Sequence, residues 1–212
     1  MKIPEAEWLG RISYEDGLLL QEQCVKAVLS DGTQERLLLL EHDPVFTIGR
    51  TQDESSLVDP SHLSFPVYRT NRGGQATYHG PGQLVCYPIL NIGTRGRDLH
   101  RYLRFLEEVN LAVLREYGVH GCRRDGLTGV WVENRKIASI GVGIRRWVSM
   151  HGFALNIAND LTGFSDIIPC GITGVTITSL SAETGCKIVT EEVVETTKKA
   201  FLCLLEMQNG YF

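Results

Sequence analysis

The stretch Arg72-Gly-Gly-Gln-Ala-Thr-Tyr-His-Gly-Pro-Gly-Gln83 is the most informative segment of this 212-residue chain. Its four glycines and one proline permit backbone paths that ordinary side chains would block. The interleaved arginine, glutamines, tyrosine and histidine add hydrogen-bonding groups and aromatic surface. The segment lacks the Gly-Lys-Ser/Thr end of a Walker A loop and contains no G-x-G-x-x-G fingerprint. It predicts a loop that lies against a ligand, with a plain glycine-rich turn between strands as the alternative.

The segments around this loop predict helices that flank a largely antiparallel sheet. Ser13 and Asp16 form a capping-box pattern at the start of a helix over residues 14–29, and further helices are expected over 98–117 and 190–207. In the middle helix, residues at helical spacing predict the buried face: Leu99, Leu103, Leu106, Val113 and Leu114. Strands are expected over 36–41, 45–48, 130–132, 137–143 and 147–157, with Asn134-Arg135 and Arg145-Arg146 as tight turns. This order is typical of an α+β domain.

Length and composition favour one domain over residues 1–212 that works in the cytoplasm. The hydrophobic content of 43% and charged content of 22% are ordinary for a globular protein. No apolar run approaches the roughly 20 residues that span a bilayer, and the N-terminus lacks the apolar region of a secretory signal. The net charge of −4 argues against nucleic acid as the main partner. The six cysteines form no C-x-x-C pair, and we expect neither a metal site nor a cofactor.

Three residues outside the glycine-rich stretch could take part in chemistry. Cys170 follows Pro169 and precedes Gly171, so a rigid turn could present its thiol to a cleft, although a buried, inert cysteine is the commoner case. Lys136 opens a strand of small and apolar residues and could point into a site, although an exposed hairpin lysine is the commoner case. His151 is ambiguous, because a lone histidine beside an apolar run is more often structural than catalytic. The G-x-S-x-G and H-E-x-x-H patterns of serine hydrolases and zinc proteases are absent.

Taken together, these motifs resemble the lipoyl(octanoyl) transferase family. The resemblance extends from about residue 41 to residue 180 and includes Glu41-His-Asp-Pro-Val-Phe-Thr-Ile-Gly49, the glycine-rich stretch, Tyr87-Pro-Ile-Leu90, Gly129-Val-Trp-Val132, Lys136-Ile-Ala-Ser-Ile-Gly141, His151-Gly-Phe-Ala-Leu-Asn156 and Pro169-Cys-Gly171. Asn71 and Asn91 stand where the family more often has aspartate. Neither position is one to which the family assigns chemistry.

The resemblance implies a fold, a mechanism and a set of site residues. It implies the fold of the biotin and lipoate protein ligase catalytic domains, with Cys170 as the acyl-accepting nucleophile and Lys136 as its activating partner. A neighbouring ammonium group favours the thiolate form of a cysteine, which is the nucleophile. The acyl pocket would be lined by Arg72, Gly73, Gly74, Gln75, Ala76, Thr77, Tyr78, His79, Ser139, Ile140, Gly141, Gly152, Phe153 and Ala154.

The implied reaction transfers an octanoyl group from octanoyl-acyl carrier protein to a lysine of a lipoyl domain. The acceptor would be a lipoyl domain of a 2-oxoacid dehydrogenase or the glycine cleavage H protein. One alternative is an ATP-dependent lipoate or biotin ligase, which shares the fold but needs no nucleophilic cysteine. The other is a non-catalytic module that binds acyl chains or lipoyl domains, although pure binding has no use for an activated thiol.

Overall fold

A computed structural model of the chain describes residues 3–31, 34–51, 54–168 and 174–212. Its main element is an eight-stranded mixed sheet. In spatial order, seven of its strands are β1 (Glu5–Ile12), β2 (Arg36–His42), β6 (Gln83–Ile89), β10 (Val148–Asn156), β9 (Arg135–Arg145), β8 (Leu127–Val132) and β7 (Cys122–Arg124), while β11 (Thr176–Ile177) pairs with β9. Within this sheet, the parallel pairs among the described residues are β1–β2 and β9–β11, and the other pairs are antiparallel. The predicted α+β class with a largely antiparallel sheet is therefore confirmed.

A second, smaller sheet holds the end of the glycine-rich stretch. Its strands, in spatial order, are β4 (Val67–Arg69), β3 (Val45–Ile48) and β5 (Thr77–His79). An apolar cluster that includes Phe46, Tyr78 and Phe164 packs around this sheet. Short 3₁₀ helices at Glu54–Ser56, Ile92–Thr94 and Thr162–Asp166 connect the strands.

The predicted helices form with nearly the predicted ends. They are α1 (Tyr14–Asp31), α2 (Leu99–Glu116) and α4 (Thr190–Met207), to which the structure adds the short α3 (Leu180–Thr184). The Ser13 hydroxyl accepts the backbone N–H of Asp16 at 3.1 Å and donates to its carboxylate at 2.7 Å, which confirms the predicted cap of α1. Asp98 caps α2 in the same way by accepting the Arg101 N–H at 3.0 Å.

Alternation along the strands divides the sheet into two different faces. Leu37 and Leu39 of β2 face α2 and α4, whereas Leu38 and Leu40 of the same strand face α1. The α2 and α4 side contains the larger apolar cluster, with Phe105 and Phe201 in edge-to-face contact at 5.0 Å. The pocket described below opens on the α1 side.

Several local predictions were wrong. Leu99, placed on the buried face of α2, is 38% exposed, because the aromatic residues Tyr102 and Phe105 shift the buried stripe away from the first helical residue. The hairpin turns also lie one residue from their predicted places. The β9–β10 turn is Arg146–Trp147, with positive φ at both residues as in a type I′ turn, and the β8–β9 turn is Glu133–Asn134.

Candidate active site

Arg72 fixes the path of the glycine-rich stretch. Its guanidinium is buried and donates to the Thr47 carbonyl at 2.6 Å, to the Thr47 hydroxyl at 2.8 Å and to the Gln75 carbonyl at 2.8 Å. A fourth bond reaches the Gly73 carbonyl at 2.9 Å. These bonds tie the loop to β3 and turn its backbone toward β9, where the Gly73 N–H donates to the Val142 carbonyl at 2.8 Å. The loop therefore forms a wall over the open face of the large sheet.

A pocket with about 470 Å³ of empty space, its open mouth included, lies between this loop and the sheet. The three segments that were predicted to line an acyl pocket meet here: one in the glycine-rich stretch, one in β9 and one in β10. Its predicted lining residues are Arg72, Gly74, Gln75, Ala76, Thr77, His79, Ser139, Ile140, Gly141, Gly152, Phe153 and Ala154. Gly73 instead lies against β9, and Tyr78 packs with Phe46 and Phe164 in the small apolar cluster. The predicted roles of all these residues in substrate binding stay predictions.

Four further residues line the pocket without having been predicted to do so: Tyr14, Val85, Tyr87 and His151. Tyr14 is the first residue of α1, and the other three come from the adjacent strands β6 and β10. Strand alternation could have pointed to Val85 and Tyr87, because both lie on the face of β6 opposite to Leu84 and Cys86. For Tyr14, no local sequence signal indicates a pocket.

Three buried histidines lie in and beneath the pocket in hydrogen-bonded positions. His42 Nε2 lies 2.7 Å from the Tyr87 hydroxyl, His79 Nδ1 lies 2.7 Å from Gln83 Oε1, and His151 Nε2 lies 2.8 Å from Asn71 Oδ1. Burial lowers the pKa of His42 from 6.5 to about 4, and lowers the pKa values of His79 and His151 to about 3. Burial also raises the pKa of Tyr14 to about 12. These groups are therefore uncharged at neutral pH.

Lys136 lies on the pocket side of the sheet because of a β-bulge. Val130 pairs with Ala138 and Trp131 with Lys136, so Ile137 is an extra residue in β9. Val130, Ile137 and Ala138 pack in the α2 and α4 cluster, and the bulge leaves Lys136 on the same face as its partner Trp131. The Lys136 side chain is only 2% exposed, and its Nζ lies 5.5 Å from the centre of the Trp131 indole.

Gly129 leaves the space that the lysine side chain occupies. A Cβ atom at this position would lie 2.8 Å from Lys136 Cε and 3.3 Å from its Nζ, and the φ of Gly129 is +132°. Both features require glycine. Gly129, on the neighbouring strand β8, thus leaves room for the Lys136 side chain on the pocket face of the sheet.

The predicted nucleophile, Cys170, lies outside the described residues, as do Pro169 and Gly171. Before the gap, the Ile168 N–H donates to the Ser56 carbonyl at 2.7 Å, and the Ser56 hydroxyl accepts the N–H of Ala76, a pocket residue. After the gap, Ile177 pairs with Lys136 in β11 and β9. The first flank therefore lies close to a pocket residue, and the second lies beside Lys136.

The other cysteines differ from one another in exposure. Cys86 is buried in the α2 and α4 cluster, where desolvation raises its pKa well above the usual value. Cys122, Cys186 and Cys203 are exposed, and Cys24 is half-buried. Over the ranges that the structure covers, no three His, Cys, Asp or Glu side chains are grouped to hold a metal ion. No helix in these ranges has the length and apolar character that crossing a membrane requires.

Residues 13–202 match the family model of the lipoyl protein ligase A/B catalytic domain. An octanoyltransferase of Syntrophotalea carbinolica is 52% identical over 202 residues, which cover 95% of this chain and 94% of that protein. An octanoyltransferase of Geobacter sulfurreducens is 54% identical over 184 residues, or 87% of this chain and 77% of that protein. The chain belongs to the lipoyl protein ligase A/B catalytic domain family. The predicted family and the prediction of an acyltransferase are thereby confirmed.

Solved structures of a lipoate-protein ligase and a biotin protein ligase share the fold. A lipoate-protein ligase A crystallised with ATP superimposes with a TM-score of 0.79 at 17% identity, covering 97% of this chain and 86% of that one. A biotin protein ligase from Aquifex aeolicus bound to biotin and ATP gives a TM-score of 0.57 at 13% identity, covering 98% and 73%. The predicted ligase-like fold is confirmed. At these identities the likeness concerns the fold alone.

Proposed function

We propose that this chain transfers an octanoyl group from octanoyl-acyl carrier protein to a lysine of a lipoyl domain through a thioester on Cys170. The acceptor is a lipoyl domain of a 2-oxoacid dehydrogenase or the glycine cleavage H protein, and the reaction takes place in the cytoplasm. Residues 1–212 act as one catalytic domain. The relatives that carry the name octanoyltransferase support this assignment, since they are about half identical to the chain over most of its length.

One structural observation carries the proposal: Lys136 is buried on the pocket face of the sheet, and it pairs with strand β11, which follows Cys170 in the sequence. Lys136 is nearly inaccessible, and Ile177, which follows the Cys170 segment, pairs with it directly. Water screens the charge of a lysine on the protein surface. A buried lysine is screened less, so its ammonium group can stabilise a neighbouring thiolate strongly.

In the first half-reaction, the Cys170 thiolate attacks the carbonyl carbon of the octanoyl thioester. The bond from this carbon to the pantetheine sulfur breaks, and the Lys136 ammonium gives its proton to the departing thiolate. The products are the octanoyl-Cys170 thioester and free carrier-protein thiol. One thioester replaces another, so this step is nearly balanced in free energy.

In the second half-reaction, the neutral amine of the target lysine attacks the same carbonyl carbon. The carbon–sulfur bond to Cys170 breaks, an amide forms, and the proton lost by the attacking nitrogen returns to Lys136. The thiolate and ammonium of the resting enzyme are restored. An amide is much more stable than a thioester, so this step makes the overall transfer effectively irreversible. The reaction written in this way needs no metal ion, nucleotide or other cofactor.

Intact-mass measurement of the full chain after incubation with octanoyl-acyl carrier protein tests the proposal. The wild type should gain one octanoyl group and lose it again when a lipoyl domain is added, without ATP. Cys170→Ala should gain none, because it lacks the accepting sulfur. The matched control is Cys186→Ala, which removes an exposed thiol from a position outside the pocket and should be acylated like the wild type.

Three results would contradict the proposal. An octanoyl adduct that persists in Cys170→Ala would place the acyl group elsewhere. Lipoyl-domain modification that requires ATP and free octanoic acid, and that survives Cys170→Ser, would identify a ligase that works through an acyl-adenylate. A chain that binds octanoyl groups without becoming acylated would be the non-catalytic module.

A further inference from the structure

His151 interrupts the regular alternation of β10. Its φ is +54°, a value that non-glycine residues seldom adopt and that is still rarer inside a strand. Phe153 and Leu155, two and four residues further on, belong to the apolar cluster on the α2 and α4 side. Regular alternation would point His151 to that side as well. The left-handed backbone turns it instead toward the pocket, which it lines together with Gly152.

Two amide side chains, the buried Gln21 and the exposed Asn71, hold His151 in this conformation. Its backbone N–H donates to Gln21 Oε1 of α1 at 2.7 Å, and its Nε2 donates to Asn71 Oδ1, just before the glycine-rich stretch, at 2.8 Å. Gln21 is fully buried and His151 is 2% exposed. Uncommon backbone angles persist where the surroundings over-determine them, and such positions are concentrated at functional sites. The clamp from both sides makes the imidazole a rigid part of the pocket wall.

His151 lies at the end of the pocket remote from Lys136. The pocket follows β9 from Ser139 to Gly141, and the next residue, Val142, pairs with His151. From Ser139 to Val142 is three residues, or roughly 10 Å along a strand. The seven carbon–carbon bonds of an extended octanoyl chain, at about 1.5 Å each with tetrahedral angles, span roughly 9 Å. A chain that enters at the Lys136 end therefore reaches His151 with its terminal methyl group.

The structure is closely packed behind the imidazole. A Cβ atom on Gly143 would lie 3.1 Å from Asn71 Oδ1 and 3.4 Å from His151 Cδ2, so the pair presses directly on the backbone of β9. Met150 Sδ lies 3.9 Å from Asn71 Nδ2 on the same side. Because burial lowers the pKa of His151 to about 3, the ring at this end is uncharged and tolerates an apolar neighbour.

We propose that His151, clamped by Gln21 and Asn71, is the end wall that limits the length of the acyl chain. The inference rests on the proposed function, because it takes the acyl group to be attached at the Lys136 end. It makes chain-length selectivity a property of one side chain held in a left-handed backbone, which can be removed without disturbing the attachment point.

The test compares initial rates of acyl-enzyme formation with octanoyl-, decanoyl- and dodecanoyl-acyl carrier protein, measured by intact mass on the full chain. His151→Gly is the main variant, since glycine adopts the left-handed backbone freely and removes the imidazole. Each methylene newly admitted to apolar space favours the longer donor about fourfold, and a decanoyl chain has two more methylenes than an octanoyl chain, so we expect the decanoyl-to-octanoyl ratio to rise roughly 16-fold. The ratio is independent of the fraction of enzyme that is folded.

Matched glutamine variants separate the clamp from general effects on α1. Gln21→Ala should raise the ratio in the same direction but by less than His151→Gly, because the imidazole remains but is held on one side only. Gln23→Ala, an exposed glutamine on the same helix, should leave the ratio unchanged. Equal ratios in the two glutamine variants would refute the clamp.

The outcomes distinguish this inference from the proposed function. Wild type acylated on Cys170, with ratios in His151→Gly within twofold of the wild type, would overturn the end-wall inference alone. A wild type that accepts no acyl group from any of the three donors would overturn the proposed function and this inference with it. If His151→Gly does not fold, His151→Asn provides the same test, because asparagine is shorter and tolerates the left-handed region.

Discussion

The two faces of the large sheet bury their polar groups in different ways. On the α1 side, His42 pairs with Tyr87, His79 with Gln83, and His151 with Gln21 and Asn71, although the Gln21 Nε2 group has no partner in the described ranges. On the α2 and α4 side, the buried atoms Asn110 Oδ1, Thr190 Oγ1 and Thr197 Oγ1 have no hydrogen-bond partner among the residues described. The first face is a polar network with a pocket, and the second is a mainly apolar core that also holds the buried Glu107, paired with Arg104 and Arg123.

This difference indicates which face each kind of perturbation should affect. A polar network in a dry environment depends on the protonation state of its members, since a buried charge is strongly disfavoured. An apolar core is insensitive to pH but sensitive to lost volume. The face with the pocket should therefore be the acid-sensitive one.

Acid should destabilise the protein through the three buried histidines, and this is the largest effect that we expect. Burial lowers their pKa values from 6.5 to about 3 or 4. Between these values the unfolded chain binds protons that the folded chain does not, so stability is complete above pH 6.5 and falls as the pH is lowered. From pH 7 to pH 5 the loss is about 2 kcal/mol for each histidine, or roughly 6 kcal/mol for all three. Urea unfolding followed by tryptophan fluorescence at several pH values measures it.

Single-histidine variants assign the acid sensitivity to the pocket face. His151→Gly should reduce the loss between pH 7 and pH 5 by about 2 kcal/mol. His120→Gln, which changes an exposed histidine, should leave the loss as in the wild type. An unfolding free energy that is the same at pH 7 and pH 5 would show that the histidines take up protons in the fold as they do in the unfolded chain, contrary to the comparison of the two faces.

Removing volume from the apolar face should have the next largest effect. Phe105 is 1% exposed and its ring lies 5.0 Å from that of Phe201 and 4.8 Å from that of Phe212. Phe105→Ala should lower the free energy of unfolding at pH 7 by about 3–5 kcal/mol. The same variant should keep the wild-type ratio of decanoyl to octanoyl transfer, because the pocket lies across the sheet.

Leu99→Ala is the control for this prediction on the same helix. Leu99 is 38% exposed, so its truncation should change stability by less than about 1 kcal/mol. A change in acyl-chain ratio in Phe105→Ala would mean that the two faces are coupled. Equal destabilisation by the two variants would mean that α2 is not packed as described.

The apolar face and its elements could be predicted from the sequence because the signals are local. The cap at Ser13, the end of α4 at Met207 and the strand Val45–Ile48 follow from neighbouring residues. Strand β1 was missed, since its half-buried residues mix glycine, glutamate and tryptophan without a clear period. Leu99 was misassigned because the predicted buried face of α2 rested on its aliphatic residues and left out Tyr102 and Phe105. The resemblance to a family supplied the fold that joins these elements.

The pocket face was less predictable because its contacts join distant residues. Gln21 and His151 are 130 positions apart, and Asn71 and His151 are 80 apart. The bulge that turns Lys136 to the pocket face appears only when β8 and β9 are paired. His151 is an example. Its sequence surroundings left its role ambiguous, with a structural histidine as the commoner case. The residue types around it do not reveal the left-handed backbone that brings it into the pocket.

Thr197→Val should produce the smallest effect, and one of opposite sign. Thr197 lies on α4 between the core residues Val193 and Phe201, is fully buried, and its hydroxyl has no partner in the described part of the chain. Valine has the same shape and a similar helix propensity, so the substitution removes an unsatisfied hydroxyl without leaving a cavity. The free energy of unfolding at pH 7 should rise by about 1 kcal/mol. Thr196→Val, at a half-buried position one residue away, should change it little. A loss of stability in Thr197→Val would show that the hydroxyl is hydrogen-bonded in solution, and that the two faces bury polar groups more alike than their contacts indicate.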